Sequence, residues 1–220
     1  MKIAAYLFLF SCLFTLSGCF EIVEQIFLKA DGSGDFQLVL NLSKSKTRLN
    51  SIMKMKTING HDVPSKEDIK YRISEIEKTV TKTPGISNVK TSVDFDNFII
   101  SISCNFKNVA RLNDAVKNIY TKENAAAKAP EKIYEYNAGV FERLNKYSFK
   151  DEYKKLSNAD REIFATANYT AVFKFESPVS AASNKETKIA PSKKAVMLKL
   201  NALDVINEKR SIENKINLTN

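Results

Sequence analysis

The chain has 220 residues, with 34 Lys and Arg against 25 Asp and Glu, and a formal net charge of +9. At 44% hydrophobic residues it can bury a sizeable core. A basic chain invites a nucleic-acid partner, but here the lysines are spread along the sequence and no aromatic-interleaved basic motif occurs, which argues against one.

A lysine-rich solvated surface accounts for the charge, with attraction to anionic lipid headgroups as the weaker alternative. The chain opens with Lys2 and an apolar run from Ile3 to Leu16. A positive start, an apolar stretch and small residues before a break are the parts of a secretory signal peptide. The run is shorter than the ~20 residues that span a bilayer as a helix. It is followed by Glu21 and Glu24 rather than by the Lys/Arg flank of a stop-transfer segment. Its ending, Leu16-Ser17-Gly18-Cys19, resembles the lipobox of bacterial lipoproteins. The resemblance implies a signal peptide over 1–18, signal-peptidase recognition through Leu16, Ser17 and Gly18, and two or three acyl chains, palmitate among them, on Cys19. Each buried methylene contributes roughly 0.8 kcal/mol, so two chains hold a domain stably at a membrane surface. In the best-known lipoprotein sorting system Asp after the cysteine favours inner-membrane retention. Phe20 in that place favours the outer membrane of the cell envelope, with the periplasmic or surface face left open.

Loss of residues 1–18 removes one cation, Lys2, and leaves about 200 residues at +8. It also removes Cys12, and lipidation would occupy Cys19, so Cys104 has no intramolecular disulfide partner. Phe98, Ile100, Ile102, Cys104 and Phe106 share one face at period two, so Cys104 is expected as a small core filler rather than a nucleophile. With Phe20 directly after Cys19, the first strand is expected beside the membrane.

Phe20 to Ala30 reads as a strand with Ile22, Ile26 and Leu28 on one face, a stripe that Glu24 interrupts. Asp31-Gly32-Ser33-Gly34 is a turn, and Phe36, Leu38, Leu40 and Leu42 alternate through a second strand, giving a hairpin. The Gly-Ser-Gly turn lacks the length and the Lys-Ser/Thr ending of a phosphate-binding loop. Leu49, Ile52 and Met53 suggest a helix, and Thr57 to Pro64 a loop. Ser65 with Asp68 forms a capping box opening a helix on Ile69, Ile73, Ile76 and Val80. Thr83-Pro84-Gly85 stops it. A second hairpin over Ile86–Phe95 and Phe98–Phe106 turns near Asp96-Asn97. Asn108 caps a helix whose Val109, Leu112, Val116 and Ile119 face inward. Thr121 to Lys132 is polar and alanine-rich, a possible internal seam. Ile133 to Phe149 is open between strand and helix, and Asp151 to Phe164 is more helical. Strand-like runs follow at Tyr169–Phe175, weakly at Ser180–Ile189, and at Val196–Leu200; Ile212 to Leu218 reads as a final edge strand. The expectation is a single domain over 19–220 of α+β class, antiparallel hairpins with helices packed on one sheet face and a β-rich C-terminal part. A parallel sheet is not expected, since no regular β-α-β crossover is visible.

This order of features resembles the LppM-type lipoprotein domain. The shared points are the lipobox cysteine leading into a strand, the Asp31-Gly32-Ser33-Gly34 turn, the Leu-rich second strand and Pro84-Gly85 before a central hairpin. Phe175-Glu176-Ser177-Pro178-Val179, Asn184 and the strand Ala195 to Leu200 match the closing β-region. The resemblance covers most of 19–203. It implies an envelope lipoprotein whose globular part is related in shape to lipid-binding proteins, with no catalytic motif. No apolar span follows the domain here, although many such lipoproteins have one.

His61 is the only histidine, and the sequence lacks the Gly-x-Ser-x-Gly elbow that would complete a triad with Asp62. A zinc site needs three or four ligands, and the carboxylates are scattered. Asp94 and Asp96 are explained as turn formers. No metal site, cofactor or catalytic residue is therefore expected. The favoured function is a membrane-anchored, non-catalytic module binding a lipid or other hydrophobic ligand, suggested by the aromatics Tyr169, Phe173 and Phe175. The alternatives are a structural or assembly partner of an envelope protein complex and, less favoured, a hydrolase with a dispersed site.

Overall fold

The computed structural model describes residues 20–58, 60–123, 132–145, 148–158, 161 and 164–219. The expected signal peptide over 1–18, Cys19 and residues 124–131 of the expected seam lie outside these.

The first hairpin forms as its alternation dictates. Strands β1 (Glu21–Leu28) and β2 (Gly34–Asn41) pair antiparallel from Glu21↔Asn41 to Leu28↔Gly34. The turn is built by Asp31, whose Oδ1 accepts from the Ser33 amide at 2.9 Å and the Ser33 hydroxyl at 2.7 Å, while Gly32 takes φ +82°. A 3₁₀ turn at Ser43–Ser45 leads into α1 (Lys46–Ile52). The expected loop at 57–64 contains a small ribbon, β3 (Thr57–Ile58) with β4 (His61–Asp62), which leaves His61 exposed.

Helix α2 (Lys66–Thr81) starts with the reciprocal Ser65–Asp68 capping box and buries Val80. Strands β5 (Ile86–Asp94) and β6 (Ile99–Phe106) form the second hairpin. Asp94 accepts from the Asp96 and Asn97 amides, each at 2.9 Å, which gives the acidic pair a turn-building role. Cys104 is 5% exposed on the inward face of β6, where burial, and next Asp35, push its thiol pKa up to about 11. Asn108 Oδ1 accepts from the Arg111 amide at 3.1 Å at the head of α3 (Val109–Glu123), which buries Val109 and Leu112.

The ambiguous stretch after residue 132 is a hairpin, β7 (Tyr134–Asn137) and β8 (Val140–Arg143). Ala138 and Gly139 between them both have positive φ, 48° and 76°, the geometry of a two-residue type I′ turn. Helix α4 (Lys150–Lys155) follows. The last strands are β9 (Asn168–Phe175), β10 (Val179–Ala182), β11 (Lys188–Ile189) and β12 (Ala195–Asn201). A short helix, α5 (Ala202–Ile206), was not legible in the sequence; Asn201 Oδ1 opens it by accepting from the Leu203 amide at 2.9 Å. Strand β13 (Asn214–Leu218) ends the fold.

Seven strands form one sheet in the order β11-β12-β9-β1-β2-β6-β5, and four form a second in the order β10-β13-β8-β7. Two expectations change here. The β1–β9 pair is parallel, Glu21 opposite Asn168 through Leu28 opposite Phe175. It joins the two halves of the chain in one sheet, a long-range pairing that local periodicity does not encode. Strand β13 lies between β10 and β8 rather than at an edge, because both flanks of its backbone find partners.

The class is α+β. Helices α2 and α3 pack on the β5–β6 side of the large sheet. The second sheet covers the β1–β9 side of the same face through Phe141, whose ring meets Phe173 at 5.2 Å and Phe175 at 5.7 Å edge-on. Phe141, Phe173, Phe175, Ile26, Leu28 and Leu198 are the buried centre. Phe173 and Phe175 are thus core residues rather than ligand contacts.

Candidate functional site

The two sheets pack against each other at more than one point. Around Phe141 they meet ring to ring, near the ends of β1 and β9 that carry Leu28 and Phe175. Towards the other ends of the same strands, at Ile22 and Tyr169, residues of both sheets and of helices α3, α4 and α5 line a cavity of about 440 Å³. That volume is within the ~300–1,000 Å³ range of small-molecule sites.

Each wall follows from the strand and helix periodicities. The floor is the inward face of β1 and β2, supplying Ile22, Glu24, Phe36 and Leu38 at period two. Val116 of α3 and Ile133, Tyr134 and Arg143 of the β7–β8 hairpin form a second wall. The far side is closed by Tyr153 of α4, by Phe164, and by Ala202, Val205 and Ile206 of α5. Phe20, directly before β1, seals the end: its ring stands edge-on to Phe164 at 5.6 Å, and Tyr153 meets Phe164 at 5.7 Å. Leu38 and Phe149 line the same space while being 37% and 46% exposed, which marks the side on which it opens.

Among the described residues the lining is mainly apolar, with one cluster of buried polar side chains. Glu24, 4% exposed, points inward from the middle of β1. Arg143 Nε donates to its Oε1 at 2.9 Å and Nη2 to its Oε2 at 3.1 Å, a two-pronged pairing. The Tyr169 hydroxyl donates to Oε2 at 2.8 Å, and Arg143 Nη1 donates to the Leu144 carbonyl at 2.5 Å. The guanidinium also lies 5.1 Å from the centre of the Tyr134 ring. Burial opposes the charge on Arg143, but the Glu24 carboxylate more than offsets it and holds its pKa above the ordinary value. Burial, and next the Glu24 carboxylate, raise both tyrosine phenols well above their usual range, so both remain protonated donors at neutral pH.

Asn113 of α3 fixes the β7 wall. Its Oδ1 accepts from the Ile133 and Tyr134 amides, each at 3.0 Å, and its Nδ2 donates to the Tyr134 carbonyl at 2.8 Å. It stands where a neighbouring strand would, satisfying backbone groups that would otherwise be orphaned.

Of the aromatics singled out in the sequence, Tyr169 reaches the cavity and Phe173 and Phe175 do not. Glu24 is the residue the sequence misplaces: the interruption of the apolar stripe is, among the described residues, the site's one buried carboxylate. Arg143 and Asn113 carried no local signal. Among the described residues no group of three or more His, Cys, Asp or Glu could hold a metal ion. Among them, too, no helix is long and apolar enough to cross a membrane.

No protein-family model matches the sequence. No curated protein matches it significantly. Among solved structures it is similar to the NMR structure of the folded domain of the Mycobacterium tuberculosis LppM protein, at 11% identity and a TM-score of 0.41 over 93% of each chain.

Proposed function

We propose that this protein is a non-catalytic envelope lipoprotein, held at a membrane through acylated Cys19, whose globular domain binds a lipid or similar hydrophobic ligand. The observation that carries the binding role is the apolar cavity of about 440 Å³ between the two sheets. A fold that buries Phe141 to 0% exposure a few residues away has the side chains to close such a space, and here leaves it open on one side. An apolar wall left to water is unfavourable, and a hydrocarbon chain relieves that cost.

The anchoring role rests on Leu16-Ser17-Gly18-Cys19, and its position fits the cavity. Phe20 follows Cys19 directly and forms part of the cavity lining. A lipidated Cys19 therefore brings the cavity, rather than the far end of the domain, to the bilayer surface. The outer membrane is the proposed location, by Phe20 after the cysteine.

Native mass spectrometry of the protein gently extracted from its host membrane tests both parts in one spectrum. The expected result is a chain beginning at Cys19 with acyl mass on it, together with a further non-covalent lipid mass. A Leu38→Trp variant, which puts an indole across the opening, should keep the acyl mass and lose the non-covalent one. An intact 1–18 segment without acylation would overturn the anchor, and a wild-type spectrum without bound lipid would count against the cavity.

A further inference from the structure

Resting on the apolar-ligand reading above, we infer that the cavity selects an uncharged amphiphile, whose hydroxyl or carbonyl head sits at the Glu24–Arg143 pair, over an anionic one such as a fatty-acid carboxylate. Among the described residues of the lining, Glu24 and Arg143 are the two charged ones, and each neutralises the other at 2.9 Å. The described lining is thus largely apolar and formally neutral. A cationic residue unopposed by an acid would make it a carboxylate site, but Arg143 already has its carboxylate. A ligand anion brought to the same place would be a second negative charge beside Glu24 with one guanidinium between them. Desolvating such an unbalanced charge is unfavourable in a low-dielectric space.

A neutral head meets a different surface. The bonds to Glu24 and Leu144 engage three of the five N–H donors that a guanidinium carries. The Glu24 carboxylate, with about four lone-pair sites, accepts from Arg143 Nε at both oxygens, from Arg143 Nη2 and from the Tyr169 hydroxyl, and is thus already satisfied. A hydroxyl, or an ester or ketone carbonyl, can accept from the guanidinium N–H groups that these bonds leave over. The apolar walls from Phe36 and Leu38 on one side to Val205 and Ile206 on the other then take the chain.

The test is calorimetric titration of the full chain, kept in solution by an amphipathic polymer, with the polymer alone as blank. The probes are decanol, methyl decanoate and decanoate at pH 8 and physiological salt, where attraction to surface lysines is screened within about 8 Å. The two neutral probes are expected to bind about tenfold or more tightly than the carboxylate. Glu24→Gln, nearly isosteric, leaves the cavity with an excess positive charge and should reverse the order. Equal or tighter binding of decanoate by the wild-type chain overturns this inference while leaving the apolar-ligand reading intact, because it would place the head at the mouth. Binding of none of the three overturns both. The wild-type comparison decides the matter even if Glu24→Gln does not fold.

Discussion

Glu24 and Arg143, 119 positions apart in the chain, meet inside the fold with Nε and Oε1 2.9 Å apart. The pair joins the central strand of the large sheet to the β8 strand of the small one, on the edge of an apolar cavity. Their side chains are 5% and 12% exposed, so neither charge is relieved by bulk water.

Removing one partner therefore costs more than the pair contributes. Arg143→Met should destabilise the fold by about 3–5 kcal/mol, because Glu24 is left charged and buried. The double change Glu24→Met with Arg143→Met should recover most of that loss, since both desolvation penalties disappear together. Urea denaturation of the four proteins in a double-mutant cycle measures the coupling. Additive losses would show that the two residues do not act as a unit.

Asn113 is expected to matter beyond its size. Asn113→Leu keeps the volume but strands the Ile133 and Tyr134 amides and the Tyr134 carbonyl, at about 1–3 kcal/mol per unsatisfied group. Because those residues form the β7 wall, amide exchange in β7 should rise more than in β6. Uniform exchange across the domain would contradict a specific role in holding that wall.

The acid limb of stability should involve Glu75. Lys122 of α3 and Lys78 of α2 each donate to its carboxylate at 2.8 Å, Lys122 making the larger contribution, and together they lower its pKa from 4.5 to about 2. A depressed carboxylate pKa gives stability that is present above the unfolded value and lost as pH falls through the folded one. The window is thus from about 4.5 down to about 2. Glu75→Gln should flatten the fall in Tm across that window and weaken its salt dependence, the pair being exposed and screened. An unchanged slope would place the acid sensitivity elsewhere.

The sequence made much of the scaffold readable where short-range chemistry decides it. The Asp31–Gly34 turn, the Ser65–Asp68 capping box and the alternation in β2 each need only neighbouring residues, and each appears as expected. The β7–β8 hairpin was harder because its strands are only four residues each, too short for a period to show. The parallel β1–β9 pairing is a tertiary choice across more than a hundred residues. The site suffered most from this. Glu24 looked like a defect in a hydrophobic stripe, and only Arg143, from a distant hairpin, turns that defect into a paired group. Asn113 bonds to backbone, and backbone leaves no trace in side-chain pattern.

The central claim is that a hydrophobic ligand occupies the space between the sheets. Photo-crosslinking tests it most directly: the protein is irradiated with a long-chain alcohol carrying an alkyl diazirine, and labelled residues are mapped by peptide mass spectrometry. The account predicts saturable labelling centred on Phe20, Leu38, Tyr153 and Val205, drawn from four separate elements that meet at the cavity. It also predicts that excess unlabelled decanol suppresses this labelling. Labelling confined to exposed side chains such as Tyr71 and Met55, with no competition, would contradict it.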